Sequence, residues 1–596
     1  MKTHRISSFI AVLIFFLAGC SSPAGFSVPS ATGPGIMVTI APTQAIPVTQ
    51  TATAESQASN LPDVVSYDLG ETTITQSIFP EDSRFRNMPV RLNGLIAVPD
   101  GEVKPHPVVV ILHGNHPGCP IPEGDMVDRW PCSPELERPN FQGFEYLLRT
   151  LASQGYVGLS LNVNAEYTLG FGEPVPAERL GQLVDLHLKA LGHAAGGGPN
   201  PFGVDLKGRA DMSRLAFIGH SQGAEGAYWL IQTRDMASPD AIEKLGYGPV
   251  YGLLMVAPSA NIGGAGASSV PVSVILPACD RDVINQEGQL FYELNRLDPQ
   301  QNPWASSVLL ERANHNYFNE TLSDETLARP DRPDCEPLME PETQQDFLSE
   351  YTIDFLTQIF DPNPDVAARL GMDFHVPAVD ELYRLPVRIA ALAPNRDRLP
   401  LLLPANGSEL ETNLAGGVVT AEGLTTLFCE EGHYVPSMKP GSEPCKRVNL
   451  VVPGNPAMVV VSWPQKGAAW HFSLPEATDL SQYSSISLRA ALDPLSELNE
   501  KNGTQAFTIQ LLDTHGNTAS VQTRADEPAL RFPLGNELEN DTFEGGWFTG
   551  RVPLTSIRMP LKEFSGVDLT AIQQITLSFD QTPSGTLFIS DLELVR

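Results

Sequence analysis

A five-residue motif near the middle of the chain combines residue types that suit nucleophilic catalysis. It reads Gly219-His220-Ser221-Gln222-Gly223 and follows the apolar run Leu215–Ile218. Small residues on both sides of a serine permit a sharp turn from strand to helix, which lifts the hydroxyl above the strand end. The turn also sets the serine at a helix N-terminus, where the backbone dipole favours negative charge. The motif therefore predicts Ser221 as a nucleophile.

A serine hydroxyl is a weak nucleophile without a base and a group that orients the base. Two later apolar runs end in such residues. Val272–Leu276 is followed by Asp280 and Asp282, and Ser307–Leu310 is followed by His315. We predict His315 as the general base and then the general acid, and both aspartates are candidates for the carboxylate that orients its imidazole.

The elements that position these residues alternate along the chain. Short, continuous apolar runs are typical of strands buried on both faces of a parallel sheet, and longer segments between them resemble helices. This alternation predicts an α/β fold with a doubly wound, mostly parallel sheet over residues 61–365. The runs are Val108–Leu112, Tyr156–Val163, Leu215–Ile218, Gly252–Val256, Val272–Leu276 and Ser307–Leu310, and the helical segments are Phe144–Ser153, Leu180–Leu191, Gly223–Gln232 and Gln344–Ile359.

The flanking regions differ from this pattern. Stretches near Thr72–Ile78 and Val90–Val98 are candidates for antiparallel edge strands. Residues 366–414 contain scattered prolines without a clear period and are predicted to be a linker. Residues 415–596 contain many short apolar runs separated by turn residues, which predicts an accessory all-β sandwich.

The loop that contains the two aspartates resembles a known family. Ala278-Cys279-Asp280-Arg281-Asp282-Val283-Ile284 is similar to the acid loop of α/β-hydrolases of the cutinase, polyester-hydrolase or dienelactone-hydrolase type. The resemblance implies an α/β-hydrolase fold and a serine esterase. It also implies that Asp282 is the catalytic acid, with Asp280 as the alternative.

Acyl transfer also needs backbone N–H groups directed at the developing oxyanion. Gln222, which follows the nucleophile, is predicted to supply one of them. After Val108–Leu112 the chain reads His113-Gly114-Asn115-His116, and this His-Gly pair resembles the oxyanion sequence of lipases and esterases. The resemblance implies that Asn115 supplies the second N–H group, with His116 as the alternative.

The last strands of the chain resemble those of galactose-binding-like jelly rolls. The resemblance is carried by Phe564-Ser565-Gly566-Val567-Asp568-Leu569 and Ile589-Ser590-Asp591-Leu592. It implies a carbohydrate as a possible partner and Asp591 as a ligand of a structural calcium ion. Trp463, Trp470 and Trp547 are candidates for stacking on sugar rings, although burial in the core is the favoured interpretation.

The N-terminus has the pattern of an export signal. Lys2 and Arg5 precede the apolar run Phe9–Leu17, and the sequence continues Leu17-Ala18-Gly19-Cys20. The run is too short for a membrane-spanning helix. Leu-Ala-Gly-Cys resembles the bacterial lipobox, which implies a lipid on Cys20 and an anchored lipoprotein facing outside the cytoplasm. Residues 1–20 are thus predicted as signal peptide, and the Ser/Thr/Pro-rich residues 21–60 as a disordered tether.

Six cysteines remain after Cys20, and in an exported protein they predict disulfides. Short loops favour Cys119 with Cys132 and Cys429 with Cys445, which leaves Cys279 with Cys335. In the resembling hydrolases the partner of the Cys279 equivalent lies closer to the catalytic histidine, so the third pairing stays open.

The formal net charge of -32 over 596 residues repels nucleic acids and excludes them as partners. The predicted function is hydrolysis of carboxylic esters through an acyl-enzyme on Ser221, without a catalytic cofactor. A serine peptidase shares this chemistry and is one alternative. The other is a surface lipoprotein that binds carbohydrate or another ligand on a degenerate hydrolase scaffold.

Overall fold

A computed structural model describes residues 62–125, 127–172, 178–260, 265–283, 286–323, 335–429, 456–494, 496–534 and 554–596, with the backbone alone for 475–477. All of them belong to one compact unit, Asn60–Arg596. The predicted signal peptide, the tether, Cys20 and the candidate Trp547 lie outside the described residues.

Ten strands of this unit form one twisted mixed sheet. They are β1 Val64–Thr75, β2 Asn87–Ala97, β3 His106–Leu112, β4 Val157–Leu161, β5 Ala210–His220, β6 Val250–Val256, β7 Val272–Pro277, β8 Ala305–Leu310, β9 Glu381–Leu382 and β10 Leu385–Leu392. Their order in the sheet is β1-β2-β4-β3-β5-β6-β7-β8-β10-β9. The pairings from β4 to β8 are parallel, and the two at each side of the sheet are antiparallel.

Helices cover both faces of the central strands. They are α1 Glu145–Ser153, α2 Asn164–Tyr167, α3 Glu178–Ala195, α4 Gln222–Asp235, α5 Pro239–Glu243, α6 Gln289–Leu297, α7 Pro341–Phe360 and α8 Pro364–Arg369. One hydrophobic core contains α3 and α4, and a second contains α1 and α7. The central strands are buried on both faces for this reason, and every residue of β3 is buried.

The remaining strands form two antiparallel sheets around a third core. They are β11 Arg398–Leu402, β12 Val419–Glu422, β13 Thr425–Cys429, β14 Met458–Trp463, β15 Ala468–Thr478, β16 Ser485–Leu492, β17 Thr508–Asp513, β18 Thr518–Gln522, β19 Thr555–Pro560, β20 Ile572–Phe579 and β21 Gly585–Val595. One sheet has the order β13-β14-β21-β16-β19, with β11 paired to β21, and the other has the order β12-β15-β20-β17-β18. Trp463 and Trp470 are fully buried between them, so neither ring is available to a sugar.

The predicted fold class, a doubly wound, mostly parallel α/β-hydrolase fold followed by a sandwich, is wrong. The described residues form twenty-one strands and eight α-helices, and the large sheet is mixed. The six central strands and the four long helical segments were predictable because their apolar patterns are continuous. The class depends instead on the flanking strands. The candidate edge strands near Thr72–Ile78 and Val90–Val98 overlap β1 and β2, whereas β9 and β10 have short or broken apolar patterns and form strands only through pairing with their neighbours.

Residues 366–414 take part in both sheet systems. β10 pairs with β8 in the mixed sheet, and β11 pairs with β21 in the C-terminal region. Arg388 of β10 donates hydrogen bonds to the backbone carbonyls of Pro528 and Phe532, the latter at 2.8 Å. The mixed sheet and the C-terminal sheets therefore share a buried polar contact surface.

Candidate active site

Ser221 occupies the turn between β5 and α4. Its backbone has φ 55° and ψ -129°, a conformation that residues with a side chain rarely adopt. A side chain at Gly223 would lie 2.4 Å from the carbonyl oxygen of His113, so only glycine fits at that position. The local sequence thus forces the sharp turn that the motif predicts, and the hydroxyl lies at the N-terminus of α4.

The loop after β3 lies against Ser221. A Cβ atom at Gly114 would lie 2.7 Å from the Cβ atom of Ser221, so the absence of a side chain permits this approach. The backbone N–H of His116 donates to the carbonyl of Gly114 at 3.1 Å. Among the described residues, the N–H groups of Asn115 and Gln222 make no hydrogen bond, which leaves them available to an oxyanion.

The side chain and backbone of His113 hold this loop through three hydrogen bonds. Its Nδ1 donates to the carbonyl of Gly114 at 2.8 Å, and its Nε2 accepts from the N–H of Val163 at 3.0 Å. The hydroxyl of Tyr167 donates to the carbonyl of His113 at 2.8 Å. Burial lowers the pKa of His113 to about 4, so the imidazole is neutral and keeps the single tautomer that both contacts require.

His315 follows β8 and is fully buried. Its Nδ1 lies 3.0 Å from Oδ2 of Asp280, a carboxylate that is 2% exposed. The other oxygen of Asp280 accepts from the N–H groups of Asp282 and Val283, at 2.8 and 2.7 Å. Asp280 is therefore rigidly held and positioned to orient the imidazole.

Asp282, which the family resemblance singles out, has a different position. Its Oδ2 lies 3.9 Å from Nε2 of His315, and its side chain is 43% exposed. Nε2 is the nitrogen that a serine nucleophile would face. The structure thus brings Asp280 to the orienting nitrogen and sets Asp282 at the other side of the ring.

His220 connects Ser221 with the loop after β8 that contains His315, which we call the histidine loop. Its Nε2 donates to the carbonyl of His315 at 2.9 Å, and the two ring centroids are 4.9 Å apart. Burial, with the neighbouring His315 and His116, holds the pKa of His220 well below its usual value. The residue before Ser221 is thus a neutral donor that ties the backbone of His315 to the end of β5.

Further contacts brace the acid and histidine loops. The N–H of Cys279 donates to the carbonyl of Ala313 at 3.0 Å. Gln344 of α7 accepts from the N–H of Asn314 and donates to its carbonyl, at 3.1 and 2.8 Å. The two loops that contain Asp280 and His315 are therefore linked to each other and to α7.

Two disulfides are present: the predicted Cys119–Cys132, and Cys279–Cys335, a pairing that the sequence left open. Cys429 is also disulfide-bonded, and its predicted partner Cys445 lies outside the described residues. Disulfides persist in oxidising compartments, which indicates an extracytoplasmic protein. Within the described ranges, no helix has the length and apolar character needed to span a bilayer.

Asp591, the predicted calcium ligand, lies in a buried ionic cluster. Its Oδ1 accepts from Arg296 at 2.6 Å and its Oδ2 accepts from Arg489. Both oxygens are therefore occupied by guanidinium groups, and a calcium ion does not fit between them. In the described part of the chain, no group of three or more His, Cys, Asp and Glu side chains is arranged to hold a metal.

Two contacts of the candidate site could not be predicted from the sequence, although Asp280 itself was named as the alternative to Asp282. The pairing of Asp280 with His315 depends on a tight turn that also hydrogen-bonds Asp280 to its own loop. The role of His220 depends on a contact across 95 residues. A histidine immediately before the nucleophile was visible, but no local pattern connects it with the His315 backbone.

No protein-family model matches the chain, and no curated protein sequence matches it significantly. The interpretation of the site therefore depends on its own geometry.

Proposed function

We propose that the protein is an extracytoplasmic serine hydrolase that cleaves carboxylic esters through an acyl-enzyme on Ser221. The observation that carries the proposal is the buried Asp280–His315 pair, whose His315 carbonyl is bound by His220, the residue before the strained Ser221 at the N-terminus of α4. Such a pair supplies the oriented base that a serine hydroxyl needs. The same geometry favours Asp280 over Asp282 as the orienting acid.

The reaction begins when His315 accepts the Ser221 proton at Nε2 and the serine oxygen attacks the ester carbonyl. The N–H groups of Asn115 and Gln222 stabilise the resulting oxyanion. His315 then donates the proton to the alkoxide leaving group, and the acyl group remains on Ser221. Water, activated by His315, attacks the acyl-enzyme and releases the carboxylic acid and free Ser221.

In this proposal a lipid on Cys20 anchors the protein to a membrane, which agrees with the extracytoplasmic location that the disulfides indicate. We expect full-length protein to partition with membranes and to incorporate a labelled fatty acid. A Cys20→Ala variant should lose the label and leave the membrane fraction. Equal labelling of both proteins would contradict lipid attachment at Cys20.

The proposed activity is tested on the compact unit Asn60–Arg596 with p-nitrophenyl acetate, butyrate and palmitate. We expect turnover by the wild type and a loss of several orders of magnitude in kcat/KM in Ser221→Ala. Ser213→Ala, an exposed serine on the same strand, is the matched control and should keep full activity. The anilide of the preferred acyl group, assayed in parallel, separates an esterase from a peptidase.

If the folded wild type hydrolyses none of these substrates, the ester-hydrolase proposal fails. If Ser221→Ala retains activity, the assignment of the nucleophile fails.

A further inference from the structure

A row of buried asparagines lies between the loop after β3, residues 113–116, which we call the oxyanion loop, and the histidine loop after β8. Asn140 is fully buried in the turn before α1. Its Nδ2 donates to the carbonyl of His116 at 3.2 Å and to Oδ1 of Asn164 at 2.9 Å. Asn164 in turn donates to the carbonyl of Arg138 at 2.9 Å, so the side chain that backs Asn140 is itself fixed.

The second half of the connection runs from the backbone of Asn140 to the loop after β8. The side chain of Asn319, four residues beyond His315, donates to the carbonyl of Asn140 at 3.1 Å. Its Oδ1 accepts from the N–H and the hydroxyl of Thr321, at 2.9 and 2.6 Å. This approach is possible because Gly143 has no side chain. A Cβ atom at that position would lie 1.6 Å from Oδ1 of Asn319.

The orientation of the Asn140 side-chain amide indicates that Asn140 acts through its Nδ2 donor group. Oδ1 of Asn140 is buried and has no hydrogen-bond partner among the described residues. A buried acceptor without a partner lowers stability. Rotating the amide would direct this oxygen at the carbonyl of His116, which can only accept. The residue therefore acts through the two bonds that its Nδ2 donates.

We propose that Asn140 is a positioning residue that fixes the separation between the oxyanion loop and the histidine loop. The inference rests on the proposed ester hydrolysis, because it assigns the two loops to the oxyanion and to the base. Stabilisation of the transition state requires the oxyanion N–H donors and the base to be positioned relative to each other within a fraction of an ångström. Binding of the substrate in its ground state is less sensitive to this separation. Loss of the connection should therefore lower kcat and leave KM nearly unchanged.

Asn140→Asp tests this inference because it keeps the shape and removes both donors. In the full-length protein we expect kcat for p-nitrophenyl butyrate to fall about tenfold to a hundredfold with KM within about threefold. The inhibition constant of an aryl trifluoromethyl ketone, which forms a tetrahedral adduct with serine, should rise by a similar factor.

Asn499→Asp is the matched control for a merely structural effect. Asn499 is a buried asparagine of the C-terminal sheets, and its Nδ2 donates to the carbonyls of Asp493 and Thr586 at 2.7 and 2.9 Å. This variant should lower the melting temperature and leave kcat and the inhibition constant at the wild-type values. If Asn140→Asp does not fold, Asn319→Asp removes one donor of the same connection and should change kcat in the same direction.

The outcomes separate the inference from the proposed function. An active wild type with unchanged kcat and inhibition constant in a folded Asn140→Asp variant would overturn the inference alone. A parallel loss of kcat in Asn499→Asp would also overturn it, because the effect would then be one of general stability. A wild type without ester hydrolysis would remove the proposed function and the inference together.

Discussion

At the scale of single residues, the site depends on which aspartate reaches the imidazole. Asp280 and Asp282 are two positions apart in one turn, so spacing from the end of β7 suits both. The turn decides between them, because it directs the N–H groups of Asp282 and Val283 at one oxygen of Asp280 and leaves the other for His315. Ser221 and His315 were predictable from sequence because each follows a strongly apolar strand.

Exchange of each aspartate for asparagine distinguishes their roles. We expect Asp280→Asn to lower kcat by about three to four orders of magnitude, because the amide no longer holds the base in its productive tautomer. Asp282→Asn is the matched variant of the same turn and should change kcat by less than about tenfold. Comparable losses in kcat from both variants, or a larger loss from Asp282→Asn, would reverse the assignment.

At the scale of elements, α3 packs on the sheet through an uncharged histidine. His187 of α3 is fully buried, and its Nδ1 lies 2.9 Å from the hydroxyl of Tyr67 on β1. Burial lowers the pKa of His187 to about 3. An unfolded chain binds this proton near pH 6.5, so the unfolded state carries more protons at every pH between these values. Acidification below pH 6.5 therefore weakens the packing of α3.

This linkage predicts a pH-dependent effect of His187→Phe on the free energy of unfolding. Wild-type stability should fall by about 1 kcal/mol per pH unit from this residue as the pH drops below 6.5. The variant should lose less stability over the same range, measured by urea unfolding at pH 7.5, 6 and 5. His375→Phe is the control, since the His375 side chain is 73% exposed. Identical pH profiles for wild type and His187→Phe would contradict the prediction.

Strands and helices with a strong local apolar pattern could be predicted from the sequence, whereas those with a weak pattern could not. β3, β5 and β7 each contain a short apolar run, and α7 is a long amphipathic segment, so each was found from sequence. β10 contains Pro386 and the buried Arg388, which break the pattern of a strand. Its strand state is set by non-local contacts, namely antiparallel pairing with β8 and hydrogen bonds from Arg388 to backbone carbonyls between β18 and β19.

At the scale of the whole molecule, a buried ionic cluster joins α6 to the C-terminal sheets. Arg489 of β16 binds Glu293 of α6 at 2.8 Å, and Arg296 of α6 binds Asp591 of β21 at 2.6 Å. Burial raises the pKa of Glu293, but the guanidinium groups of Arg489 and Arg296 outweigh it and lower the pKa to about 2. Glu293 is thus charged at neutral pH, and the side chains of the cluster depend on one another for the hydrogen bonds that water would otherwise supply.

Removal of one carboxylate from this cluster should destabilise the entire unit. Asp591→Asn leaves two buried guanidinium groups to share the single negative charge of Glu293, and we expect a loss of about 3–5 kcal/mol in the free energy of unfolding. Asp125→Asn removes an exposed carboxylate that pairs with Arg129 and should change stability by less than about 1 kcal/mol.

EDTA should leave the melting temperature of the wild type unchanged. A large EDTA effect would restore calcium as a ligand of Asp591.

The backbone of Ser221 has an evolutionary consequence. A residue with a side chain at φ 55° and ψ -129° is strained by roughly 1–3 kcal/mol, whereas glycine adopts this conformation readily. A lineage that no longer needed the hydroxyl would therefore gain stability by drifting to glycine at this single codon. If serine is retained at this position in related sequences, selection must favour its hydroxyl, because replacement by glycine would increase the stability of the fold.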